Sequence, residues 1–273
     1  MTLPTDPCRI RVEWSDELDS TMLEARRRVD AHPDRTAPLA LAARRQYGGI
    51  GRLGRRWFSP PGGLWMTVVA PLRRKPEARS VLGLEAGLAV LAALDAALER
   101  TQRAAGLAPR DRINLKWPND CLLNDRKVAG ILTEVWRDAG GAERLSVGVG
   151  VNANLDPDAL PEDLRARSTT LRHALGAETD LEALAFDLAR RLPPLAEDRP
   201  VDPAVVARAA AERLAGLGAA MRVLRPDGSS LRGTFRGLRS DGVPLLDVPG
   251  LGLVPVGAGE WTSHAPTHAP PHA

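Results

Sequence analysis

The sequence contains only two cysteines, Cys8 and Cys121. Two thiols cannot form a disulfide framework or a cysteine-based metal cluster, so the chain suits a reducing compartment and we expect a cytoplasmic protein. Residues 1–7 contain no apolar segment of the kind found in a secretory signal peptide. No window is apolar for long enough to cross a bilayer, because acidic residues interrupt the Ala/Leu-rich run 81–98. We therefore expect no membrane partner.

Excess charge of one sign is also lacking. The chain has 37 Lys and Arg against 34 Asp and Glu, a formal net charge of +3. This balance gives no reason to expect nucleic-acid binding. The sequence has no Walker A motif, no Ser-His-Asp arrangement and no cluster with metal-ligand spacing, and residues 49–54 lack the strand-turn-helix context of a dinucleotide fingerprint. We therefore predict no protein-bound metal site.

What is present is a glycine- and arginine-rich stretch, residues 48–57, that ends on Trp57. Glycines let the backbone approach a ligand closely. Backbone N–H groups and guanidinium forks bind phosphate, and an indole face stacks on a base. The plainer alternative is a mobile, solvated basic loop. A second stretch favours a site, because Lys116 directly precedes Trp-Pro at the end of a predicted strand.

Neutral polar residues form a third feature. Ser20, Thr21 and Gln46 stand at the ends of predicted elements, and such groups suit a urea or amide that offers both a carbonyl and N–H donors. Capping is the competing explanation for Ser20 and Thr21, with Glu24 as the partner in a capping box. Combined with the cations Arg52, Arg55, Lys116 and Lys127, the pattern suits an enzyme that brings a carboxylic acid and a nucleoside triphosphate together.

The predicted elements alternate between strands and helices. We expect strands at 9–14, 39–45, 64–72, 112–117, 121–124, 127–136 and 145–151, and helices at 20–31, 76–103, 181–192 and 203–217. Residues 152–170 are predicted to be loop-rich. Gly148 and Gly150 leave one strand face bare, which fits either a floor beneath a ligand or close strand packing. Short strands from residue 221 to about 263 predict a small β-barrel, and the Pro- and His-rich residues 264–273 predict a disordered tail.

Four motifs in order resemble those of biotin protein ligases. The family pattern is Gly-Arg-Gly-Arg-x-Gly-Arg-x-Trp-x-Ser-Pro, Lys-Trp-Pro-Asn-Asp, Lys-x-Ala-Gly-Ile-Leu and Gly-x-Gly-x-Asn, and the chain matches it at residues 49–60, 116–120, 127–132 and 148–152. The resemblance implies an α+β fold: a mixed β-sheet flanked by helices, of the class II synthetase-like type, over residues 1–219. An SH3-like barrel would follow at 220–263.

The resemblance also implies a two-step reaction. Biotin would attack the α-phosphate of MgATP to give biotinyl-5′-AMP, and a lysine of a biotin carboxyl carrier protein would then take the biotinyl group. Lys116 and Arg52 would be catalytic. Biotin would be bound by Ser20, Thr21, Met22, Gln46, Ile50, Gly51, Arg52, Lys116 and Gly130. The adenylate would be bound by Arg55, Trp57, Asn119, Lys127 and Asn152.

One position departs from the pattern. Ile50 stands where the family usually has its first loop arginine, so we expect weaker or altered retention of the intermediate. Some family members carry an N-terminal helix-turn-helix, but only eight residues precede the first predicted strand, and we expect a ligase only, as a monomer or homodimer. A lipoate or octanoate ligase-transferase of the same fold, and a non-catalytic biotin or nucleotide sensor, remain as alternatives.

Overall fold

The computed structural model describes residues 10–108 and 112–263. Its larger part is a seven-stranded mixed sheet in the order β1-β2-β3-β7-β6-β5-β4. Strands β1 and β2 are parallel, and every other pairing in this sheet is antiparallel. The strands are β1 Val12–Leu18, β2 Leu39–Gln46, β3 Leu64–Pro71, β4 Ile113–Lys116, β5 Asp120–Leu123, β6 Arg126–Arg137 and β7 Glu143–Val151. Cys8 and the predicted tail lie outside the described residues.

Helices cover the two faces of this sheet unequally. They are α1 Thr21–Ala31, α2 Leu82–Ala104, α3 Glu162–Arg165, α4 Leu171–Leu175, α5 Leu181–Arg191 and α6 Pro203–Ala211. The main core joins one sheet face to α2 and α5. The odd-numbered residues of β7, such as Val147 and Val149, point into this core, so its even-numbered residues face the other side. There α1 packs Ala25 and Val29 on β2 and β3 and leaves the rest of the face open.

The second sheet is small and lies at the end of the chain. It has five strands in the order β11-β10-β9-β8-β12: β8 Ala220–Leu224, β9 Ser230–Leu238, β10 Pro244–Val248, β11 Gly252–Pro255 and β12 Glu260–Ser263. Its core contains Phe235 and Trp261, whose rings meet edge to face at 5.4 Å. This sheet is consistent with the predicted SH3-like barrel, so the fold-class prediction is confirmed. The division at residue 219 stays a prediction.

Three predicted boundaries were wrong. The first strand runs over Val12–Leu18 instead of 9–14, following its parallel register with β2. The helix predicted from residue 76 is divided into a 3-10 turn, Pro76–Ala78, and α2, which begins only at Leu82. The interruption is held by Arg79, which donates to the Arg74 carbonyl and pairs with Glu143 at 2.8 Å.

The last predicted helix is also shorter than expected. It ends at Ala211, because the residues that follow leave the helix to bridge to β4, where Leu214 lies beside Leu115. Within 152–170, predicted to be loop-rich, the chain forms the short helix α3. None of the helices in the described part of the chain is both long and apolar enough to cross a membrane.

Candidate active site

A cavity of about 650 Å³ opens on the sheet face that α1 leaves uncovered. It is bounded by the start of α1, the glycine-rich stretch, the ends of β4, β6 and β7, and β12 of the small sheet. All of the predicted site residues line it: Ser20, Thr21, Met22, Gln46, Ile50, Gly51, Arg52, Arg55, Trp57, Lys116, Asn119, Lys127, Gly130 and Asn152. The structure thus brings the whole predicted set together, and what each residue binds stays a prediction.

A chain of neutral hydrogen bonds fixes one end of the cavity. Gln46 Oε1 accepts from the Thr21 backbone N–H at 2.7 Å and from the Thr21 hydroxyl at 3.0 Å. Its Nε2 donates to Ser59 Oγ at 2.9 Å, and Thr67 Oγ1 donates to Thr21 Oγ1 at 2.9 Å. Thr21, Ser59 and Thr67 are buried. The amide orientation of Gln46 is therefore set by protein partners.

The capping-box prediction for Ser20 and Glu24 was wrong. Ser20 occupies the N-cap position of α1 but makes no side-chain cap hydrogen bond. The free N–H of Thr21 is satisfied by Gln46 instead, and Glu24 pairs with Arg27 and Arg28. The buried Ser20 hydroxyl is consequently left for another partner at a helix N-terminus.

Asp19 holds the turn in front of Ser20. Its carboxylate accepts from the Ser20 backbone N–H at 2.7 Å and from Arg27 at 2.7 and 2.9 Å. The Arg27 hydrogen bonds keep the pKa of Asp19 below its usual value. The Asp19 carbonyl also accepts from the Gly48 N–H at 2.8 Å, so the same turn anchors the glycine-rich stretch.

The glycine-rich stretch is a hydrogen-bonded hairpin, which we call the glycine hairpin (residues 46–59). Gln46 bridges to Ser59 and Ile50 to Arg56 in antiparallel fashion. The Trp57 N–H donates to the Gly49 carbonyl at 2.8 Å, and the Gly51 N–H donates to the Arg55 carbonyl at 2.7 Å. Its tip is a 3-10 turn, Arg52–Gly54. The paired backbone fixes the positions from which the arginines of the hairpin project, unlike the solvated loop that composition alone allows.

The cations around the cavity differ in how they are held. Arg52 donates to Asn119 Oδ1 at 3.3 Å, and Asn119 in turn donates to the Ile131 carbonyl at 2.9 Å. Lys127 pairs with Asp120 at 2.7 Å and lies 4.7 Å above the Trp57 ring.

Lys116 is held differently. It is half-buried and has no hydrogen-bond or ion-pair partner within residues 10–108 and 112–263. An unpaired ammonium in a partly desolvated cavity is suited to an anionic ligand group.

The bare strand face is filled by protein side chains. Gly150 pairs with Gly130 across the sheet, and a Cβ on either residue would lie 2.5–2.7 Å from the Trp57 ring. A Cβ on Gly148 would lie 3.0 Å from the Met22 sulfur. The prediction that these glycines make room directly for a ligand ring therefore needs correction: Trp57 and Met22 occupy the space above them.

Three residues in or beside the cavity were not predicted from the sequence. Thr67 does not line the cavity but supports Thr21 from the sheet below; it is a single threonine in an apolar strand, and nothing in its neighbourhood marked it. Glu260 and Trp261 lie in β12, about 200 residues from the glycine hairpin. Glu260 pairs with Arg55, and Trp261 meets Trp117 edge to face at 5.5 Å. The small sheet therefore forms a wall of the cavity, which only the tertiary structure shows.

Asn152 and Cys121 are both enclosed by the protein fold. Asn152 donates from Nδ2 to the Thr169 carbonyl at 3.2 Å, and its own backbone N–H donates to Val128 at 2.8 Å. Cys121 is fully buried, and burial raises the pKa of its thiol. A neutral, enclosed thiol is not a nucleophile.

Comparison with known proteins shows which family the chain belongs to. Residues 17–152 match the family model described as "Biotin/lipoate A/B protein ligase family". A biotin–[acetyl-CoA-carboxylase] ligase of Mycobacterium tuberculosis is 31% identical over 225 residues, covering 81% of this chain and 77% of the relative. The chain belongs to the biotin/lipoate A/B protein ligase family.

Other members of this ligase family show how far the similarity extends. A bifunctional ligase/repressor BirA of Bacillus subtilis is 32% identical over 173 residues, which are 61% of this chain and 48% of the relative. The chain thus spans about half the length of several curated relatives that it matches. The structure of a biotin protein ligase from Aquifex aeolicus in complex with biotin and ATP superposes with a TM-score of 0.68 at 26% identity, covering 92% of this chain and 97% of that one.

Proposed function

We propose that this chain activates biotin with ATP as biotinyl-5′-AMP and transfers the biotinyl group to a lysine of a biotin carboxyl carrier protein. The observation that carries the proposal is the composition of one cavity. A neutral network (Thr21, Gln46) lies at one end, and Lys116, which has no ion-pair partner in the described part of the chain, stands among further cations. A cyclic urea fits the first group and a carboxylate beside phosphates fits the second. The named activity of the Mycobacterium tuberculosis relative and the ligands of the Aquifex aeolicus structure support it.

In the first step, a biotin carboxylate oxygen forms a bond to the α-phosphorus of ATP while the bond to pyrophosphate breaks. Two anions must approach each other, so the barrier is lowered by cations that are already in place. Lys116 and Arg52 are assigned this role because both line the cavity, and Asn119 orients the Arg52 guanidinium.

In the second step, a lysine amine of the carrier attacks the carbonyl carbon of the mixed anhydride. An amide forms, AMP leaves, and the amine loses a proton to solvent. The anhydride is hydrolysable, so a cover that excludes water protects it until the carrier arrives. The glycine hairpin, linked to β12 through Arg55 and Glu260, is assigned this function.

Magnesium is proposed to enter with ATP. The described part of the chain has no group of three or more His, Cys, Asp or Glu residues that could hold a metal ion. Mg²⁺ at nucleotide sites is commonly held by phosphates plus one or two carboxylates, and Asp120 lines the cavity. When bound, the ion would neutralise phosphate charge. Because the reaction consumes ATP, we place the protein in the cytoplasm.

Ile50 is proposed to weaken retention of the intermediate. Its side chain lines the cavity and is 37% exposed, where an arginine would add a positive charge. We expect Ile50→Arg to slow the release of biotinyl-5′-AMP into solution. Size-exclusion separation after a quenched reaction measures this as the fraction of adenylate that stays with the protein, and an unchanged fraction would contradict the assignment.

The proposal is tested by pyrophosphate exchange into ATP with biotin, lipoate or octanoate as the acid. We expect exchange with biotin and little with the other two. Exchange with lipoate or octanoate alone would make the chain a ligase-transferase for those acids. Biotin binding measured by calorimetry, without any exchange, would make it a sensor.

A further inference from the structure

The row of residues across the sheet beside the neutral network contains one gap. Thr67 of β3 pairs with Gly148 of β7, and Leu132 of β6 pairs with Gly148 from the other side. Thr67 donates to Thr21, so this row lies directly under the start of α1. Gly148 is the position in the row without a side chain, and it forms a notch in the floor of the cavity.

Met22 fills this notch. Its Sδ and Cγ lie 3.0 and 3.2 Å from where a Cβ of Gly148 would be, and the Leu132 carbonyl oxygen is next at 3.7 Å. Met22 follows Thr21 in α1, lines the cavity and is half-buried. Its side chain is unbranched and polarisable, which lets it adapt to differently shaped neighbours.

Backbone conformation does not account for the glycine. Gly148 is absent from the positive-φ residues in the described part of the chain, so an alanine can adopt its φ and ψ. A Cβ would instead meet the Met22 thioether closer than nearly all real Cβ contacts. The thioether would have to move, and because the sheet lies below it, the free direction is into the cavity.

We propose that Met22, seated in the notch above Gly148, sets the width of the acid-binding end of the cavity and so selects the ring system of the acid. The inference rests on the proposed function for the identity of that acid, a fused bicyclic urea. The polar network holds the urea, and Met22 forms the wall beside the ring. Shortening the Met22 side chain admits wider rings, and displacing its thioether into the cavity excludes the bicycle.

The test compares Gly148→Ala, Met22→Ala and the double variant with Gly83→Ala as control. Gly83 lies on the exposed side of α2, and a Cβ there has open space. We expect Gly148→Ala to raise the KM for biotin in pyrophosphate exchange about tenfold, as overpacking of a tight site does. The KM for desthiobiotin, which lacks the sulfur-containing ring, should rise less. The double variant should recover most of the loss.

Met22→Ala should improve the use of biotin sulfone relative to biotin about tenfold, because the widened end accepts the two sulfone oxygens. A Gly148→Ala KM equal to that of Gly83→Ala, or a double variant no better than Gly148→Ala, would overturn the inference. Melting temperatures of the same four variants measure the steric conflict between Met22 and residue 148 independently of catalytic activity. If the wild type is active with biotin and the double variant is no better than Gly148→Ala, the steric pairing of Met22 with Gly148 is refuted. If the double variant recovers the melting temperature but the wild type is inactive with biotin, the proposed function is refuted.

Discussion

Among single residues, Lys116 is the one on which the proposed chemistry depends most. It is half-buried, lines the cavity and lacks a partner among the described residues. By contrast, Lys127 is held by Asp120 at 2.7 Å. A cation without a hydrogen-bond or ion-pair partner among the described residues can be removed with little effect on the fold, so its variants separate catalysis from stability.

We expect Lys116→Ala to lower biotin-dependent pyrophosphate exchange by about 10²–10³-fold, the usual effect of losing one transition-state donor. The melting temperature should stay close to that of the wild type. Lys75→Ala, which removes an exposed lysine without an ion pair in the described structure, is the matched control. Near-normal exchange by Lys116→Ala would contradict the role assigned to this residue.

Thr67 supports a second prediction. Thr67→Val keeps the shape of a buried side chain but removes the donor to Thr21 Oγ1, so the Thr21 hydroxyl is held only by its hydrogen bond to Gln46. We expect a higher KM for biotin, an unchanged KM for ATP, and a loss of about 1 kcal/mol in the free energy of unfolding.

Thr101→Val is the control, because Thr101 makes a buried hydroxyl contact to Thr179 at 3.4 Å and does not line the cavity. It should share the stability loss without the change in KM. If both variants changed the KM for biotin equally, Thr67 would contribute only packing and would have no specific effect on the biotin site.

The sequence motifs predicted which residues lie at the cavity, and the binding roles of these residues stay predictions. Arg52, Trp57 and Lys116 lie in motifs of unusual composition, and all three line the cavity. Thr67 could not be found, because its importance comes from the strand register that places it under Thr21. The hydrogen bond from the Thr21 N–H to the Gln46 side-chain carbonyl could not be predicted either, because the two residues are 25 positions apart in the chain.

At the scale of elements, the glycine hairpin is attached to both parts of the molecule. Gly48 is bound to the turn before α1, Trp57 lies on Gly130 and Gly150, and Arg55 pairs with Glu260 of β12. Helix and strand positions were predictable from periodicity. These attachments were not, because they join distant segments through single side chains.

The pairing between Arg55 and Glu260 gives a prediction for the hairpin. Both side chains are partly exposed, at 65% and 38%, so Glu260→Gln should change stability by less than about 1 kcal/mol. We expect faster amide hydrogen exchange at Gly51 and Trp57, whose N–H groups close the hairpin.

Asp247→Asn provides the matched control for Glu260→Gln. It removes a similarly exposed pair with Arg236 on the small sheet, away from the cavity. If hairpin exchange rates respond equally to both variants, or to neither, the Arg55 contact does not hold the hairpin.

At the scale of the whole molecule, several carboxylates are stabilised in their charged form. Hydrogen bonds from Arg239 lower the pKa of Asp241 to about 2, and those from Arg79 lower the pKa of Glu143. A carboxyl group with a lower pKa in the folded state contributes stability above its unfolded pKa, about 4, and this contribution is lost as the pH falls through the folded value.

We therefore expect the melting temperature to change little between about pH 5 and 7 and to fall as the pH drops from about 4 towards 2. Calorimetric melts across this range measure it. Arg79→Gln should weaken the dependence, since Glu143 then titrates closer to its unfolded value. A melting temperature that rises on acidification would contradict the assigned direction of these pKa shifts.

The proposed activation of biotin is tested most directly by following the adenylate. Purified protein is incubated with biotin and α-labelled ATP, the labelled products are separated, and a biotin carboxyl carrier domain is then added. We expect labelled biotinyl-5′-AMP before the addition, and AMP with a biotinylated carrier lysine after it. Bound biotin without labelled adenylate, or an adenylate that never reaches the carrier, would contradict the proposed function.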